Sequence, residues 1–345
     1  MPTQPQTTDI AIIGAGPVGL FAVFECGMLG LKCHVIDSLS DIGGQCSALY
    51  PEKPIYDIPG YPVIEAGDLV ARLQEQAAPF APTYHLGETA DALARDADGR
   101  WRLTTSHGTV IDAAAIVIAA GTGAFGFNRP PLDGIESYEG TGVFYMVARR
   151  EAFRDKRLVI AGGGDSAVDW ALSLAEIAAH VTVVHRRPKF RAAPESVAKL
   201  EALVAAGDVE LAIPYQLAGL DGDGTRLDAV RLASLDGEER RVPADALLAF
   251  YGLAATLGPI ADWGLAIEHN QIRVDPATCE TTVAGIYAIG DVADYAGKLK
   301  LILTGFAEAA MAAHATFALA RPDQALHFEY STTQGLPTNS GSDRP

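Results

Sequence analysis

The stretch DIAIIGAGPVGLFAVFECGMLGLKCHVID, residues 9–37, carries the pattern that decides the fold. Its first five residues predict a short apolar strand, and GAGPVG follows at once with the spacing GxGxxG. A helical pattern runs from Leu20 to about Gly30, and a second strand, CHVID, ends at Asp37. This order of elements predicts a βαβ unit whose helix N-terminus receives the pyrophosphate of a dinucleotide.

The same succession occurs a second time, 148 residues further along the chain. The strand LVIA leads into GGGDSA at 162–167, and after a helical segment the strand VTVVH ends at His185. Gly14 precedes Asp37 by 23 residues, and Gly162 precedes His185 by the same number. Ordinary glycine-rich turns are the alternative, but both copies have the flanking strands and the span that the motif requires. We therefore predict a second dinucleotide site, whose loop residues are Gly162, Gly164, Asp165, Ser166 and Ala167.

The residues that follow the two βαβ units differ in charge. Asp37 can accept hydrogen bonds from the ribose hydroxyls of an adenosine and would repel a 2′-phosphate, which favours FAD. The second unit is instead followed by residues that can bind a 2′-phosphate: His185, Arg186, Arg187 and Arg191. Each charge-assisted hydrogen bond contributes about 1.5–3 kcal/mol, so we expect NADP rather than NAD at this site. A solvated basic edge is the alternative for this segment.

The rest of the chain predicts a nested arrangement of two domains. Residues 99–119 predict a hairpin followed by a buried strand, and residues 225–251 repeat that plan. Each block ends in a glycine-containing crossover, GTGA at 121–124 and GLAA at 252–255. The expected fold class is α/β, with two Rossmann-like, three-layer ββα domains and the NADP domain inserted into a discontinuous FAD domain. The predicted domains are 1–122 (FAD, first part), 123–252 (NADP) and 253–345 (FAD, second part, with a polar C-terminal tail).

Composition excludes several classes of function. The 345 residues are 49% hydrophobic and 20% charged, which is unlike a disordered chain or a coiled coil. The net charge of −17 repels phosphate backbones and anionic lipids, so we expect neither a nucleic-acid partner nor a membrane. The four cysteines form no Cys-x-x-Cys pair and no cluster with zinc spacing, so no metal site is expected. With no secretory signal and no long apolar span, a cytoplasmic protein with reduced thiols is expected.

Several motifs together resemble the thioredoxin-reductase-like flavoproteins along nearly the whole chain. They are GAGPVGL with Asp37, GGQC at 43–46, the glycine-rich crossover and GDV at 290–292. Within that group, IGGQCSALYPEKPIYDIPGYP, GGGDSAVDW, HRRPKFRA and GDVADYAGKLKLILTGFAEAA are similar to the thioredoxin-reductase-type ferredoxin–NADP reductases, over about residues 8–335. The resemblance implies a homodimer with one FAD per subunit. It also implies hydride transfer between NADPH and FAD and single-electron exchange with a ferredoxin or flavodoxin.

The cysteines separate two branches of this group. A thioredoxin reductase needs a Cys-x-x-Cys dithiol in its NADPH domain, and the corresponding position here holds MVAR at 146–149. Without thiolates, disulfide exchange has no nucleophile, so electrons are expected to leave from the flavin itself. Two alternatives remain: an NADPH-dependent flavin enzyme with another acceptor, and a non-catalytic NADP(H)-sensing flavoprotein.

The resemblance also implies roles for individual residues. Tyr50 and Tyr330 match the rings that stack on the two faces of the flavin, and we predict them as the catalytic residues, with packing or interface positions as the alternative. Asp291 matches a contact to the ribityl chain or phosphate, and Thr332 a flavin contact from the same chain or a dimer partner. The remaining predicted FAD-binding residues are Gly14, Gly16, Pro17, Gly19, Asp37, Gly44, Gln45, Ala90 and Phe125.

A few charged and thiol residues admit two interpretations. Cys46 lies beside the predicted flavin, but without a partner cysteine a small buried residue is favoured over a redox role. Asp165 is most simply the N-terminal cap of its helix. Lys298 and Lys300 either attract an acidic protein or cap a helix surface. The densest basic segment is a candidate ferredoxin-docking patch, with a solvated helix face as the alternative: Arg149, Arg150, Arg154, Lys156 and Arg157.

Overall fold

A computed structural model describes residues 4–96, 98–326, 332 and 335 of the chain. The chain divides into two compact units. Unit 1 comprises Met1–Phe125 and Ala255–Pro345, and unit 2 comprises Gly126–Ala254. One unit is therefore inserted into the sequence of the other.

The first segment of the chain supplies most of unit 1. Its strands are β1 (Gln6–Ile13), β2 (Cys33–Asp37), β3 (Pro54–Ile55), β4 (Ile64–Glu65), β5 (Thr83–Leu86), β6 (Ala90–Arg95), β7 (Trp101–Thr105), β8 (Val110–Ile118) and β9 (Ala124–Phe127). Its helices are α1 (Pro17–Met28), α2 (Gln45–Ala48) and α3 (Ala66–Ala77).

The middle segment forms unit 2. Its strands are β10 (Val143–Phe144), β11 (Arg157–Ala161), β12 (His180–Val184), β13 (Val209–Ala212), β14 (Tyr215–Gly222), β15 (Leu227–Ser234), β16 (Glu239–Pro243) and β17 (Ala246–Ala249). Its helices are α4 (Asp165–Ala175) and α5 (Pro194–Ala206).

The last segment returns to unit 1. Its strands are β18 (Leu253–Thr256), β19 (Ile267–Glu268), β20 (Gln271–Arg273), β21 (Ile286–Ala288) and β22 (Ala293–Asp294), and its helix is α6 (Ile302–Ala320). Short 3-10 helices cover Ala78–Phe80, Ile135–Tyr138, Arg150–Phe153, Gly258–Asp262 and Gly290–Val292.

The two units contain the same arrangement of parallel strands. In unit 1 the order is β5-β2-β1-β8, and β21 adds in parallel along the last residues of β8. In unit 2 the order is β13-β12-β11-β17, with β10 at the edge beside β17. Each unit also has an antiparallel three-stranded meander, β6-β7-β8 in unit 1 and β14-β15-β16 in unit 2. The predicted α/β class with two Rossmann-like units is confirmed.

Alternation along the first strand of each unit builds the layers. Ile10 and Ile12 of β1 pack into one buried cluster with residues of α1 and α6, whereas Ala11 and Ile13 pack into another with residues of the meander. In unit 2 the buried residues of β11 alternate in the same way between helices and meander. Both faces of these strands are therefore covered, which explains their near-continuous apolar sequences. Because Ile12 is fully buried, its truncation to alanine should cost about 2–5 kcal/mol.

Helix α6 is a core helix of unit 1. By length and composition alone it is the one helix of the described chain long and apolar enough to cross a membrane. Ala309, Ala313 and Phe317 on one side of it are buried in the cluster that also contains Ile10 of β1. Its small residues allow close packing against the strands, so its apolar character is accounted for by this core.

Candidate nucleotide-binding sites

A cavity with about 1180 Å³ of empty volume lies in unit 1. Ile13, Ile36 and Ala119, at the carboxyl ends of β1, β2 and β8, all line it. The carboxyl edge of a parallel sheet is where open α/β folds bind their ligands. Its position at this edge suits a dinucleotide.

The first glycine-rich loop brings the N-terminus of α1 to this cavity. Gly14 has a φ of +113°, and a Cβ there would lie 2.3 Å from the carbonyl oxygen of Ala119. Gly16 is the N-cap of α1, and Pro17 begins the helix. Both line the cavity, and a Cβ on Gly16 would meet no protein atom within 4 Å. The loop thus leaves open, beside unpaired helix N–H groups, the space that a side chain would fill and a pyrophosphate can occupy.

The third glycine of the motif serves packing. A Cβ on Gly19 would lie 1.9 Å from the carbonyl oxygen of Gly14, so no larger residue fits without moving the loop. Gly19 is buried and does not line the cavity. Its contribution to a bound nucleotide is therefore the close approach of helix to strand.

Asp37 holds the loop and faces the cavity at once. Its carboxylate accepts hydrogen bonds from the N–H of Ala15 at 2.6 Å and from the N–H of Leu39 at 2.8 Å. Burial raises the pKa of Asp37 above its usual range, and the two backbone hydrogen bonds partly oppose that shift. Asp37 lines the cavity together with Ala90. Their predicted contacts with an adenosine stay predictions.

The segment after β2 also lines the cavity. Gly44, with a φ of +58°, precedes α2, and Gln45 begins it. The side-chain amide of Gln45 donates to the hydroxyl of Thr122 at 2.7 Å, which ties α2 to the crossover after β8. Tyr50 lines the cavity just beyond α2, so its ring is available to a planar ligand there.

Cys46 beside Tyr50 is not poised for redox chemistry. Burial raises the pKa of the Cys46 thiol to about 11, so the thiol stays protonated near neutral pH. Burial also raises the pKa of Tyr50, whose hydroxyl shares a hydrogen bond with that thiol. This environment agrees with the interpretation of Cys46 as a small buried residue.

The last segment of unit 1 completes the cavity with a loop after β21. Gly290 and Asp291 line it, and Asp291 was predicted as a contact to the ribityl chain or phosphate. A Cβ on Gly290 would lie 3.4 Å from the side chain of Val18 in the first turn of α1. The loop and the N-terminus of α1 are therefore neighbours on one wall.

Several residues of the cavity were missed by sequence reasoning. Glu88 and Thr89 lie just before Ala90, and the segment Leu257–Ile260 follows the second crossover. Ile302 reaches the wall from the start of α6. A detectable signal was the Gly258–Pro259 turn, since Gly-Pro marks a break in regular structure.

The second glycine-rich loop, in unit 2, repeats the geometry of the first. A Cβ on Gly162 would lie 2.7 Å from the carbonyl oxygen of Phe250, much as Gly14 approaches Ala119. Gly164 is the N-cap of α4, and a Cβ on it would meet no protein atom within 4 Å. Ala167, buried, stands where the first loop has Gly19. The loop leaves the same open space at a helix N-terminus.

The prediction that Asp165 caps α4 is wrong. The N-cap is Gly164, and Asp165 is the first residue of the helix. The Asp165 carboxylate accepts a hydrogen bond from the N–H of Ala193, the N-cap of α5, at 2.9 Å. Asp165 therefore joins the starts of two helices, and Ser166 beside it is exposed.

The arginines after β12 are available to an anion. Arg186, Arg187 and Arg191 are exposed, and no ion pair of these guanidinium groups is found within the described part of the chain. The N–H of Arg191 donates to the carbonyl oxygen of Gly163 at 2.7 Å, which places this segment directly at the glycine loop. Unpaired guanidinium groups next to a helix N-terminus fit a phosphate.

His185 has a different surrounding from these arginines. Its ring stacks on Phe190 with centroids 5.2 Å apart, and a Cβ on Gly163 would lie 2.2 Å from the ring. Burial, and then the charges of the neighbouring arginines, lower its pKa. The ring packs beneath the glycine loop in its neutral form. Its predicted contact with a 2′-phosphate stays a prediction.

The basic segment predicted as a docking patch is largely neutralised. Arg150 pairs with Glu176 at 2.6 Å, Arg154 with Glu151 at 2.7 Å, and Arg157 with Asp245 at 2.6 Å. The structure thus contradicts the expectation of a concentrated positive patch here. Glu151 lies within the segment, whereas Glu176 and Asp245 lie outside it, and the sequence does not show that they pair with it.

The two interpretations offered for Lys298 are both wrong. Its side chain is 4% exposed and forms an ion pair with the equally buried Glu308 of α6. Lys300 is exposed. Glu308 lies within the apolar helix α6, and the sequence does not show that its side chain pairs with Lys298.

Two predicted site residues, Phe125 and Tyr330, are described only in part or not at all. Phe125 lies in β9, but its side chain is outside the described residues, and Tyr330 is outside them entirely. Thr332 is described and exposed. Their predicted flavin contacts stay predictions.

The four cysteines are all free and buried. The thiols of Cys26 and Cys33 contact each other in the core of unit 1, and this contact and burial raise the pKa of Cys33. Neither of the two lines the cavity. Among the described residues no group of three or more His, Cys, Asp or Glu side chains is placed to hold a metal ion.

Two α/β units, each with a glycine-rich loop opening at a helix N-terminus, define a class of protein that binds two dinucleotides. The family model described as pyridine nucleotide-disulphide oxidoreductase matches residues 8–315, and the chain belongs to this family. The cofactors are accordingly FAD and NADP(H), and the open cradles at Gly16 and Gly164 fit both.

Curated relatives match along nearly their whole length. The ferredoxin–NADP reductase of Rhodospirillum rubrum is 62% identical over 338 residues, covering 97% of this chain and 98% of the relative. That of Paramagnetospirillum magneticum is 63% identical over 330 residues, covering 96% and 98%. Among solved structures, the thioredoxin reductase of T. acidophilum has a TM-score of 0.76, covers 91% of this chain and 98% of its own, and is 23% identical. At that identity the likeness shows the fold alone.

Proposed function

We propose that this protein is a ferredoxin–NADP reductase, with ferredoxin or flavodoxin as its electron partner. The observation that carries the proposal is identity of 62% and 63%, over nearly complete chains, to two proteins of that name. The geometry supports it because the cavity of unit 1 and the loop of unit 2 each present groups that suit a different nucleotide. One presents a carboxylate to a ribose, and the other presents free guanidinium groups to a phosphate.

Unit 1 holds FAD in this proposal. Gly16 and the N-terminus of α1 receive the pyrophosphate, and Asp37 accepts hydrogen bonds from the adenosine ribose. Tyr50 provides a ring at the flavin end, and Tyr330 is proposed for the opposite flavin face. We keep the predicted FAD domain at 1–122 and 253–345 and the predicted NADP domain at 123–252.

The remaining predicted residues complete the FAD site. Gly14 and Gly19 shape the loop, Gly44 and Gln45 line the flavin end, and Asp291 contacts the ribityl chain or phosphate. Pro17, Ala90, Phe125 and Thr332 are proposed as further FAD contacts. Their arrangement keeps the nucleotide along the carboxyl edge of the sheet, where backbone N–H groups are unpaired.

Unit 2 holds NADP(H) in this proposal. Gly162, Gly164 and Ala167 shape the loop, and Ser166 lies in the first turn of α4 beside the pyrophosphate. Arg186, Arg187 and Arg191 bind the 2′-phosphate. FAD, when bound, accepts a hydride from NADPH and releases single electrons.

The protein's own residues favour release of those electrons without a thiol relay. Position 146–149 reads MVAR, and the cavity thiol of Cys46 stays protonated. An acceptor must therefore take electrons at the flavin, which suits an iron–sulfur protein or a flavodoxin. An NADPH-dependent flavin reductase with another acceptor is the second candidate, because the neutralised Arg149–Arg157 segment offers no strong docking charge.

We further propose a homodimer. Tyr56 (71% exposed) and Val63 flank the buried Ile58, and Leu299 (62% exposed) and Leu303 flank Ile302, which packs against the same buried cluster as Ile58. Exposed apolar side chains in two segments that share one buried cluster support an interface here. Light scattering should give twice the chain mass, and Leu299→Glu should shift the mass toward the monomer. A monomer at all concentrations of the unmodified protein would contradict the proposal.

The four free, buried cysteines favour a reducing compartment, and we place the protein in the cytoplasm. Fractionation of cells by compartment, with the protein followed by antibody, tests this placement. Recovery in the membrane or extracytoplasmic fraction would contradict it.

The test of the proposed activity is steady-state reduction of cytochrome c by NADPH, with and without added ferredoxin or flavodoxin. The rate should depend strongly on the added carrier, and NADH should replace NADPH poorly. Fast flavin reduction by NADPH with no effect of either carrier would leave the cofactor assignment intact and shift the proposal to another acceptor.

A further inference from the structure

A buried ion pair lies directly behind the cavity loop of Gly290 and Asp291. The side chains of Lys298 and Glu308 are 4% and 2% exposed, and the lysine ammonium donates to Oε1 of Glu308. The Tyr295 hydroxyl donates to the same oxygen at 2.6 Å. The other carboxylate oxygen, Oε2, accepts a hydrogen bond from the N–H of Gly290 at 2.7 Å. Both oxygens of one buried carboxylate are therefore engaged, and one of them holds the loop.

This pair is an unusual choice if stability alone is considered. Removing two charges from water is costly, and well-packed apolar residues in place of a buried ion pair are often as stable or more stable. Removing one partner alone is strongly destabilising because the other charge is left buried. The pair is therefore better explained by the geometry it imposes than by the free energy of folding.

Helix α6 is close enough to impose that geometry. A Cβ on Gly305 would lie 2.4 Å from the side chain of Val18 and 3.3 Å from the Cα of Gly290. The helix thus approaches both the first turn of α1 and the loop after β21. Glu308, one turn further along α6, reaches the Gly290 N–H from this position.

We propose that Glu308, held by Lys298, is a positioning residue that fixes the Gly290 peptide so that Asp291 keeps its place in the wall of the FAD cavity. The inference deepens the proposed function, since it rests on FAD occupying that cavity. It assigns to the pair an effect on FAD affinity that is separate from its effect on stability.

Two double variants of the full chain separate these effects. Lys298→Met with Glu308→Gln removes both charges but keeps an oxygen for the Gly290 N–H. Lys298→Met with Glu308→Leu removes both charges and the acceptor. FAD is removed from each protein, and the FAD-free protein is then titrated with FAD while the quenching of FAD fluorescence is followed. The thermal unfolding of the FAD-free forms is compared separately.

The Gln variant should bind FAD with a dissociation constant close to that of the unmodified protein. The Leu variant should bind at least tenfold more weakly, about 1.4 kcal/mol at 25 °C, although its FAD-free form unfolds at a similar temperature. Equal affinity of the two double variants would overturn the proposal. Asp9→Asn is the matched control, because the Asp9–Arg321 pair anchors the far end of α6 and should affect stability only.

A second measurement stands if the Leu variant does not fold. In Lys298→Met alone, hydrogen exchange of residues 286–294 should accelerate at least tenfold relative to β1. A uniform acceleration of both segments would overturn the proposal, since it would show only global destabilisation. If the unmodified protein bound no FAD, the proposed function itself would fail, which is a distinct result.

Discussion

Replacing both Arg186 and Arg187 with alanine tests which nucleotide unit 2 takes. Neither guanidinium group has an ion-pair partner in the described part of the chain, so no protein carboxylate must be given up when a phosphate binds. A charge-assisted hydrogen bond contributes about 1.5–3 kcal/mol, and exposure to solvent favours the lower value. Two such bonds amount to about 3 kcal/mol, so the KM for NADPH should rise by roughly a hundredfold.

The assay is the reduction of an artificial acceptor by NADPH and by NADH, which bypasses ferredoxin. The KM for NADH should change little, because NADH lacks the 2′-phosphate. The matched control is Arg241→Ala, which removes one exposed cation of unit 2 that already pairs with Asp221 at 2.8 Å. A parallel rise of both KM values, or an equal effect of the control, would refute the assignment of these arginines to a 2′-phosphate.

Three further predictions concern the loops, the cavity thiol and a histidine pair. Gly16→Val should weaken FAD binding at least tenfold, about 1.4 kcal/mol, and leave the NADPH affinity of unit 2 unchanged. Gly164→Val should weaken NADPH binding and leave the FAD affinity unchanged. Titration of each variant with each nucleotide distinguishes the two effects. Because the Cys46 thiol has a pKa of about 11, Cys46→Ser should retain turnover, and rapid inactivation of the native protein by iodoacetamide at neutral pH would contradict this. Burial lowers the pKa of His34 and of His85 from 6.5. Their contribution to the free energy of unfolding is therefore complete above pH 6.5 and is lost as the pH falls through the lowered pKa values. Thermal unfolding measured against pH should show this loss, and replacing both residues by Gln should flatten the profile.

The parts of the fold that follow from local pattern were predictable from the sequence. Gly14 and Gly162 each precede the end of the second strand of their βαβ unit by the same number of residues, which predicted two equivalent units. A glycine-rich turn followed by a helix and a parallel strand requires this span in both units. Helix α1 begins at Pro17, three residues before the predicted Leu20, since proline suits the first turn of a helix. The cavity wall formed by Leu257–Ile260 was not predicted, because the Gly258–Pro259 turn signals a break in regular structure but not which sheet edge the segment covers.

Pairing between distant charges was the main feature that the sequence could not reveal. Arg157 pairs with Asp245 across 88 residues, and this contact removes one of the cations that made the segment look basic. The residues near Lys298 in the sequence do not indicate that it is buried in an ion pair with Glu308. His185 similarly looks like a basic residue in HRRPKFR, yet its ring stacks on Phe190 and burial lowers its pKa. These three features depend on tertiary contacts, which the pattern of residue types along the chain does not reveal.

In the proposed function, electrons from NADPH leave this protein at its flavin and enter a ferredoxin without a thiol intermediate. The most direct measurement mixes the NADPH-reduced protein with oxidised ferredoxin in the absence of oxygen and follows the visible absorbance of the iron–sulfur protein. Ferredoxin should be reduced in a single turnover, and prior treatment of the protein with a thiol-alkylating reagent should not change this. A flavin reduced by NADPH that leaves ferredoxin oxidised, or transfer that alkylation abolishes, would contradict it.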